Sequence, residues 1–277
     1  MDFGGLRGKA GVKKGCKGAP YVYLSPVGRA LVAGLKEFED QVKEFQKFHY
    51  IIMPDHLHII IYKRIYTPIH LDDYMDNLKE RICKHYNAFS NSALSKEDIF
   101  TESYTDKSLY DGVKLKNWIE YLDDNPNRRL TIIQRPKFFE RIHDLEIAGN
   151  KYEAYGNPFL WTNPDKYAVR MRSRFTCDER LRHKQEALYL ASKGTVLVSP
   201  FVSEYEKEIR ELAEKNGFPY ILIQSAEFPE KFKPPKHQFN LCATGKLLII
   251  SMGKKRDVAF THQLCTEMNE LAQTIVN

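Results

Sequence analysis

The sequence predicts two domains of different class: an α+β domain built on an antiparallel hairpin, then an α/β domain with a small parallel sheet. Three observations carry that expectation. The chain has 277 residues, long for a single domain. In its first half two β-rich runs meet at Pro54-Asp55, the mark of a hairpin. After Asp178 uniformly apolar strands alternate with helices, which is the pattern of parallel strands covered on both faces.

Residues 1–20 carry Arg7, Lys9, Lys13, Lys14 and Lys17 among several glycines, and read as a flexible basic arm. A helix is expected from Pro26, with Val27, Leu31, Leu35 and Phe38 on one face. The runs Phe48–Met53 and His56–Tyr62 follow as the hairpin strands. Asp72 is placed to cap a helix through Tyr74, Leu78, Ile82 and Tyr86, whose other face presents Lys79, Arg81 and Lys84. Another helix runs from Val113 and is expected to stop at Asn125-Pro126, because proline lacks the amide that helix hydrogen bonding needs. The first folded domain is therefore set at 21–135, and 136–177, without clear periodicity, read as a connecting region.

From 178 to 277 the expected order is a helix ending at Lys193-Gly194, strand Thr195–Ser199, and a helix opened by the capping box Ser203–Glu206. Strand Tyr220–Ile223, a short helix near Phe239, strand Leu247–Ile250 and a helix over 258–275 complete it.

Composition excludes some classes. With 43% hydrophobic and 28% charged residues the chain has the makings of a globular core. No apolar run reaches the ~18 residues of a membrane span, and the start lacks the apolar stretch of a secretory signal. The five cysteines stand far apart without a Cys-x-x-Cys pair, which argues against a zinc ribbon or a disulfide framework and for the cytoplasm. A formal charge of +6 favours a polyanionic partner, mildly.

His56 and His58 are two apart on a strand, so both imidazoles leave one face while Leu57 turns to the core with Ile59 and Ile61. Two such rings can share one divalent cation. The run Tyr50-Ile51-Ile52-Met53-Pro54-Asp55-His56-Leu57-His58-Ile59-Ile60 resembles the signature of the single-tyrosine HUH transposases, particularly their REP-associated branch. That resemblance covers about residues 20–135 and implies a ferredoxin-like HUH fold, an antiparallel sheet with helices. It also implies a helix-borne tyrosine some twenty residues before a Tyr-Ile-x-x-Asn-Pro element. Here Tyr121-Leu122-Asp123-Asp124-Asn125-Pro126 stands for that element, and the register lands on Tyr104, with Tyr110 as competitor.

The implied activity is cleavage and rejoining of single-stranded DNA through a 5′-phosphotyrosine, with Mg2+ or Mn2+ on His56 and His58 and Asp106 as candidate third ligand. Lys79, Arg81, Lys84, Arg128 and Arg129 would contact single-stranded or hairpin DNA. The alternative is a decayed or domesticated relative that binds DNA hairpins without cutting. Family members begin with a central strand, for which only Tyr21–Leu24 offers itself here. The C-terminal domain resembles the Rossmann-type modules of the DNA-processing A proteins, with Ser199 and Ser203 where a phosphate would sit. It lacks Gly-x-Gly-x-x-Gly, so a structural extension serving dimerisation (a homodimer) or added DNA contact is the favoured reading.

Overall fold

The computed structural model describes residues 2–277 apart from 13, 42–44, 64–68, 102–103, 110–111, 172–173 and 256, so Tyr110 lies outside the described residues. The chain forms two compact units, Met1–Gln134 and Arg135–Asn277. Both classes predicted from sequence are found: antiparallel strands with helices first, an α/β unit second.

Unit one opens with an unexpected strand. β1 (Gly4–Arg7) pairs antiparallel with β2 (Tyr21–Leu24), so the arm assigned to residues 1–20 is partly a structured hairpin. It is anchored from both ends. Phe3 is buried in the core, and the Gly11 amide donates to the Asn127 side chain at 2.7 Å. Helix α1 (Pro26–Gln41) follows, then β3 (Phe45–Ile52) and β4 (Leu57–Lys63), the expected Pro54-Asp55 hairpin. The two hairpins form separate two-stranded sheets among the described residues.

Helix α2 (Leu71–Ser90) lies against α1, and α3 (Lys96–Ile99) is a single capped turn. Val27, Leu31 and Leu35 of α1, Tyr74, Leu78 and Ile82 of α2, and Ile52 share one core with Phe3 and Ile99. Leu57, Ile59 and Ile61 pack against it, leaving the histidine side of β4 to solvent. Helix α4 (Gly112–Gln134) does not stop at Pro126. Leu122, Asn125, Pro126, Arg128, Leu130 and Thr131 are buried on both sides of the proline, and that packing offsets the ~3 kcal/mol a mid-helix proline costs.

In unit two, residues 136–177 are not a connector. They supply a 3-10 turn (Pro136–Phe139), β5 (Glu140–Ile147), β6 (Asn150–Gly156), the short α5 (Phe159–Thr162) and β7 (Lys166–Ala168). The rest is α6 (Cys177–Ser192), β8 (Val196–Ser199), α7 (Glu204–Lys215), β9 (Tyr220–Ala226), α8 (Lys236–Ala243), β10 (Leu247–Lys254) and α9 (His262–Val276). The six-stranded sheet has the order β5-β6-β10-β9-β8-β7. β10, β9, β8 and β7 are mutually parallel, and the β5–β6 hairpin adds antiparallel through β6.

The hairpin escaped the sequence because its strands, β5 at the sheet edge and β6 beside it, mix charged and apolar positions. On one face α9 packs Leu264, Met268, Leu271 and Ile275 on Val196, Val198, Ile221, Ile223 and Ile250. Leu197, Tyr220, Leu247 and Ile249 point the other way and are equally buried, so both faces are covered.

Candidate metal and tyrosine site

The hairpin turn is closed by the Met53 amide donating to the His56 carbonyl at 2.8 Å, and the Phe3 amide donates to the Pro54 carbonyl at 2.6 Å. This holds His56 beside His58, with Nε2 to Nε2 at 3.1 Å and the rings at right angles. Asp55 Oδ1 lies 2.7 Å from His56 Nδ1, so a Nδ1–H donated to the carboxylate leaves the His56 Nε2 lone pair facing His58. Burial pulls the Asp55 pKa up, but the hydrogen bond and charge of His56, with the charge of Arg129, hold it below its ordinary value.

The contact is a hydrogen bond between the two imidazoles, and its length is also the separation, about 3 Å, that two metal–nitrogen bonds of about 2.1 Å at right angles would require. The carboxylate behind His56 is the second partner metal-bound imidazoles normally have. Asp106 does not join them. Among the described residues no third His, Cys, Asp or Glu is grouped with the pair to hold a cation. Further ligands would be water or substrate oxygen.

Tyr104 is not on a helix, since residues 104–109 have no regular structure. Its hydroxyl donates to Asp72 Oδ1 at 2.6 Å. Asp72 was expected to cap α2. Instead it sits in the helix's first turn, with His70 at the cap position, and its carboxylate is turned to the phenol. That bond raises the Tyr104 pKa from 10.0 to about 12, with burial and the charges of Asp72, Asp106 and Asp76 adding to it. Asp106 therefore acts on the tyrosine, not on the histidines.

Of the five basic residues assigned to DNA, Lys79 and Arg128 are buried and Arg81 is half-buried in an ion pair. The Lys79 ammonium donates to the Thr101 carbonyl at 3.1 Å, Arg81 donates to Glu37 at 2.9 Å, and Arg128 is buried against the Tyr121 ring. The heads of Lys79 and Arg81 tie α2 to Thr101 and to α1, while Arg128 lies on a ring of its own helix. Lys84 and Arg129 remain exposed, and Arg129 is the one whose charge reaches the histidine turn.

Sequence reasoning missed Asp55 and Asp72. Asp55 adjoins His56 and was legible as its partner. Asp72 stands 32 positions from Tyr104 and gave no signal.

In unit two the phosphate reading of Ser199 and Ser203 meets a different arrangement. Ser199 is fully buried and accepts from the Phe201 amide, while Ser203 caps α7. The buried Glu206 carboxylate accepts from the amides of Met171, Val202 and Ser203 at 2.9, 3.0 and 3.1 Å. A carboxylate of the chain itself thus takes amides that an anion would need there.

No family model matches the chain, and no curated protein matches it. Among solved structures the chain is similar to DNA processing protein A from Helicobacter pylori, described for its single-stranded DNA binding mode. The identity is 20% over 50% of this chain, with a TM-score of 0.36. The chain spans 65% of that structure's length. No helix among the described residues is long and apolar enough to cross a membrane.

Proposed function

We propose that unit one binds single-stranded or hairpin DNA and cuts it with Tyr104 beside a divalent cation, Mg2+ or Mn2+, held by His56 and His58. The observation that carries this is the 3.1 Å approach of the two Nε2 atoms on a hairpin turn, with Asp55 behind one of them. A cation bound there would withdraw charge from a phosphate oxygen and from the departing oxygen. The chain's own residues supply the rest. Tyr104 Oη forms a bond to phosphorus as the P–O3′ bond breaks, leaving a 5′-phosphotyrosine. Its phenolic proton passes to Asp72, already 2.6 Å away, and the leaving 3′-oxygen takes a proton from water. Arg129 adds positive charge beside the turn.

The second reading is a hairpin binder that does not cut. It is favoured by the Tyr104–Asp72 bond, which holds the tyrosine as a neutral phenol, a poor nucleophile near neutral pH.

One experiment separates the two. Incubated with a hairpin-bearing single strand and Mn2+, the protein should form a covalent adduct stable to denaturing electrophoresis. Tyr104→Phe and His56→Ala/His58→Ala should each abolish the adduct, with Tyr104→Phe leaving affinity unchanged. An unmodified protein that binds the hairpin but forms no adduct is the non-cutting relative. An adduct that persists in Tyr104→Phe moves the nucleophile to another tyrosine.

A further inference from the structure

We infer that the outer face of the β1–β2 hairpin is a stacking platform for unpaired bases of single-stranded DNA, with Tyr21 and Tyr23 as its rings. The two tyrosines are two apart on β2 and so share a face, and they are 53% and 61% exposed. Their ring origins are spaced by about 6.8 Å, two strand residues, roughly twice the ~3.4 Å rise per nucleotide of a stacked strand.

Nothing from the neighbouring strand covers them. Tyr23 is opposite Gly5, where even an added Cβ would meet nothing within 4 Å, and Tyr21 is opposite the exposed Arg7. The alternate residues behave differently. Leu24 packs on the core of unit one, so the pleat sorts apolar residues inward and leaves both phenol rings in water. Two phenol rings side by side on one open strand face can each take a base by stacking.

Charge complementarity selects the occupant. Arg7 stands beside Tyr21, and Lys9 and Lys17 are exposed in the segment joining the two strands. The lone acid of residues 1–20, Asp2, accepts from the Gly4 amide. Rings that stack on any base and cations that follow phosphates are the two halves of a single-strand groove.

Position agrees. β1 leaves the histidine turn directly, since Phe3, the residue before it, is hydrogen-bonded to Pro54. The hairpin that carries Tyr23 and Tyr21 thus begins next to the turn that carries His56. The inference takes its ligand class from the reading above. It needs neither the cation nor Tyr104, so the two can fail separately.

The test is fluorescence anisotropy of the full chain with a labelled thymidine oligonucleotide, in EDTA so that no cation contributes. Tyr21→Ala/Tyr23→Ala should weaken binding by tenfold or more, while Tyr21→Phe/Tyr23→Phe, which keeps both rings, stays within twofold. Affinity for blunt duplex should not change. Because both side chains are exposed, thermal melts of the two variants should match the unmodified protein. The inference is overturned if the alanine variant binds within twofold, if the phenylalanine variant is as weak as the alanine one, or if the unmodified chain binds no single strand. Tighter binding of the matching RNA would overturn the choice of DNA. The two claims separate at saturating DNA with Mn2+. Adduct formed by the alanine variant leaves the cutting reading standing on its own. Unchanged EDTA binding by His56→Ala/His58→Ala leaves the platform standing on its own.

Discussion

At the scale of single residues the decisive pair is Tyr104 and Asp72. The hydrogen bond stabilises the phenol over the phenolate, and it sets a pH signature with a definite sign. Because the folded pKa is raised from 10.0 to about 12, the stability the bond contributes is complete below pH 10 and lost as pH rises through about 12. In an ultraviolet difference titration, Tyr104→Phe should remove one late-titrating tyrosine. Asp72→Asn takes away the carboxylate and should return Tyr104 toward 10. If Asp72→Asn leaves the late population unchanged, the contact is absent in solution. Tyr167, raised to about 12 by burial and Glu186, and Tyr220, raised further by burial and Glu214, titrate late whatever happens at Asp72. They serve as internal controls.

Among the secondary-structure elements, α1 is held at Gly28 by backbone. A Cβ there would stand 2.1 Å from the Phe3 carbonyl oxygen, an atom fixed on one side by β1 and on the other by the bond from Phe3 to Pro54. Neither side can give. Gly28→Ala should therefore destabilise unit one by about 1–3 kcal/mol through overpacking, read as a lower urea midpoint. Gly112→Ala at the start of α4, where an added Cβ meets nothing within 4 Å, should leave the midpoint unchanged or raise it. Equal midpoints for Gly28→Ala and the unmodified protein would show that the N-terminal strand is not docked. Docking of Phe3 in the core sets the β1–β2 hairpin so that Tyr21 and Tyr23 of β2 stay in solvent.

For the whole molecule, the division after Gln134 makes a prediction about fragments. All six strands of the second sheet pair within 135–277, so that fragment should give a single cooperative melt. A fragment beginning at 178 lacks β5, β6 and β7, which uncovers the edges of both β10 and β8, and it should aggregate or stay unfolded. A stable 178–277 fragment would restore 136–177 as a connector. Much was legible in the sequence: the Pro54-Asp55 turn, the shared face of His56 and His58, the capping box at Ser203, and the apolar strands of the parallel sheet. Each rests on turn chemistry or side-chain period within about ten residues, which local sequence specifies. Tertiary structure alone decided the rest. It buried Lys79 and Arg128, paired Arg81 with Glu37, carried α4 through Pro126, joined Tyr104 to Asp72 and placed Glu206 on the amides of a neighbouring loop. Those outcomes depend on which distant atoms arrive to satisfy a charge, an amide or an apolar face, and no local pattern encodes that arrival.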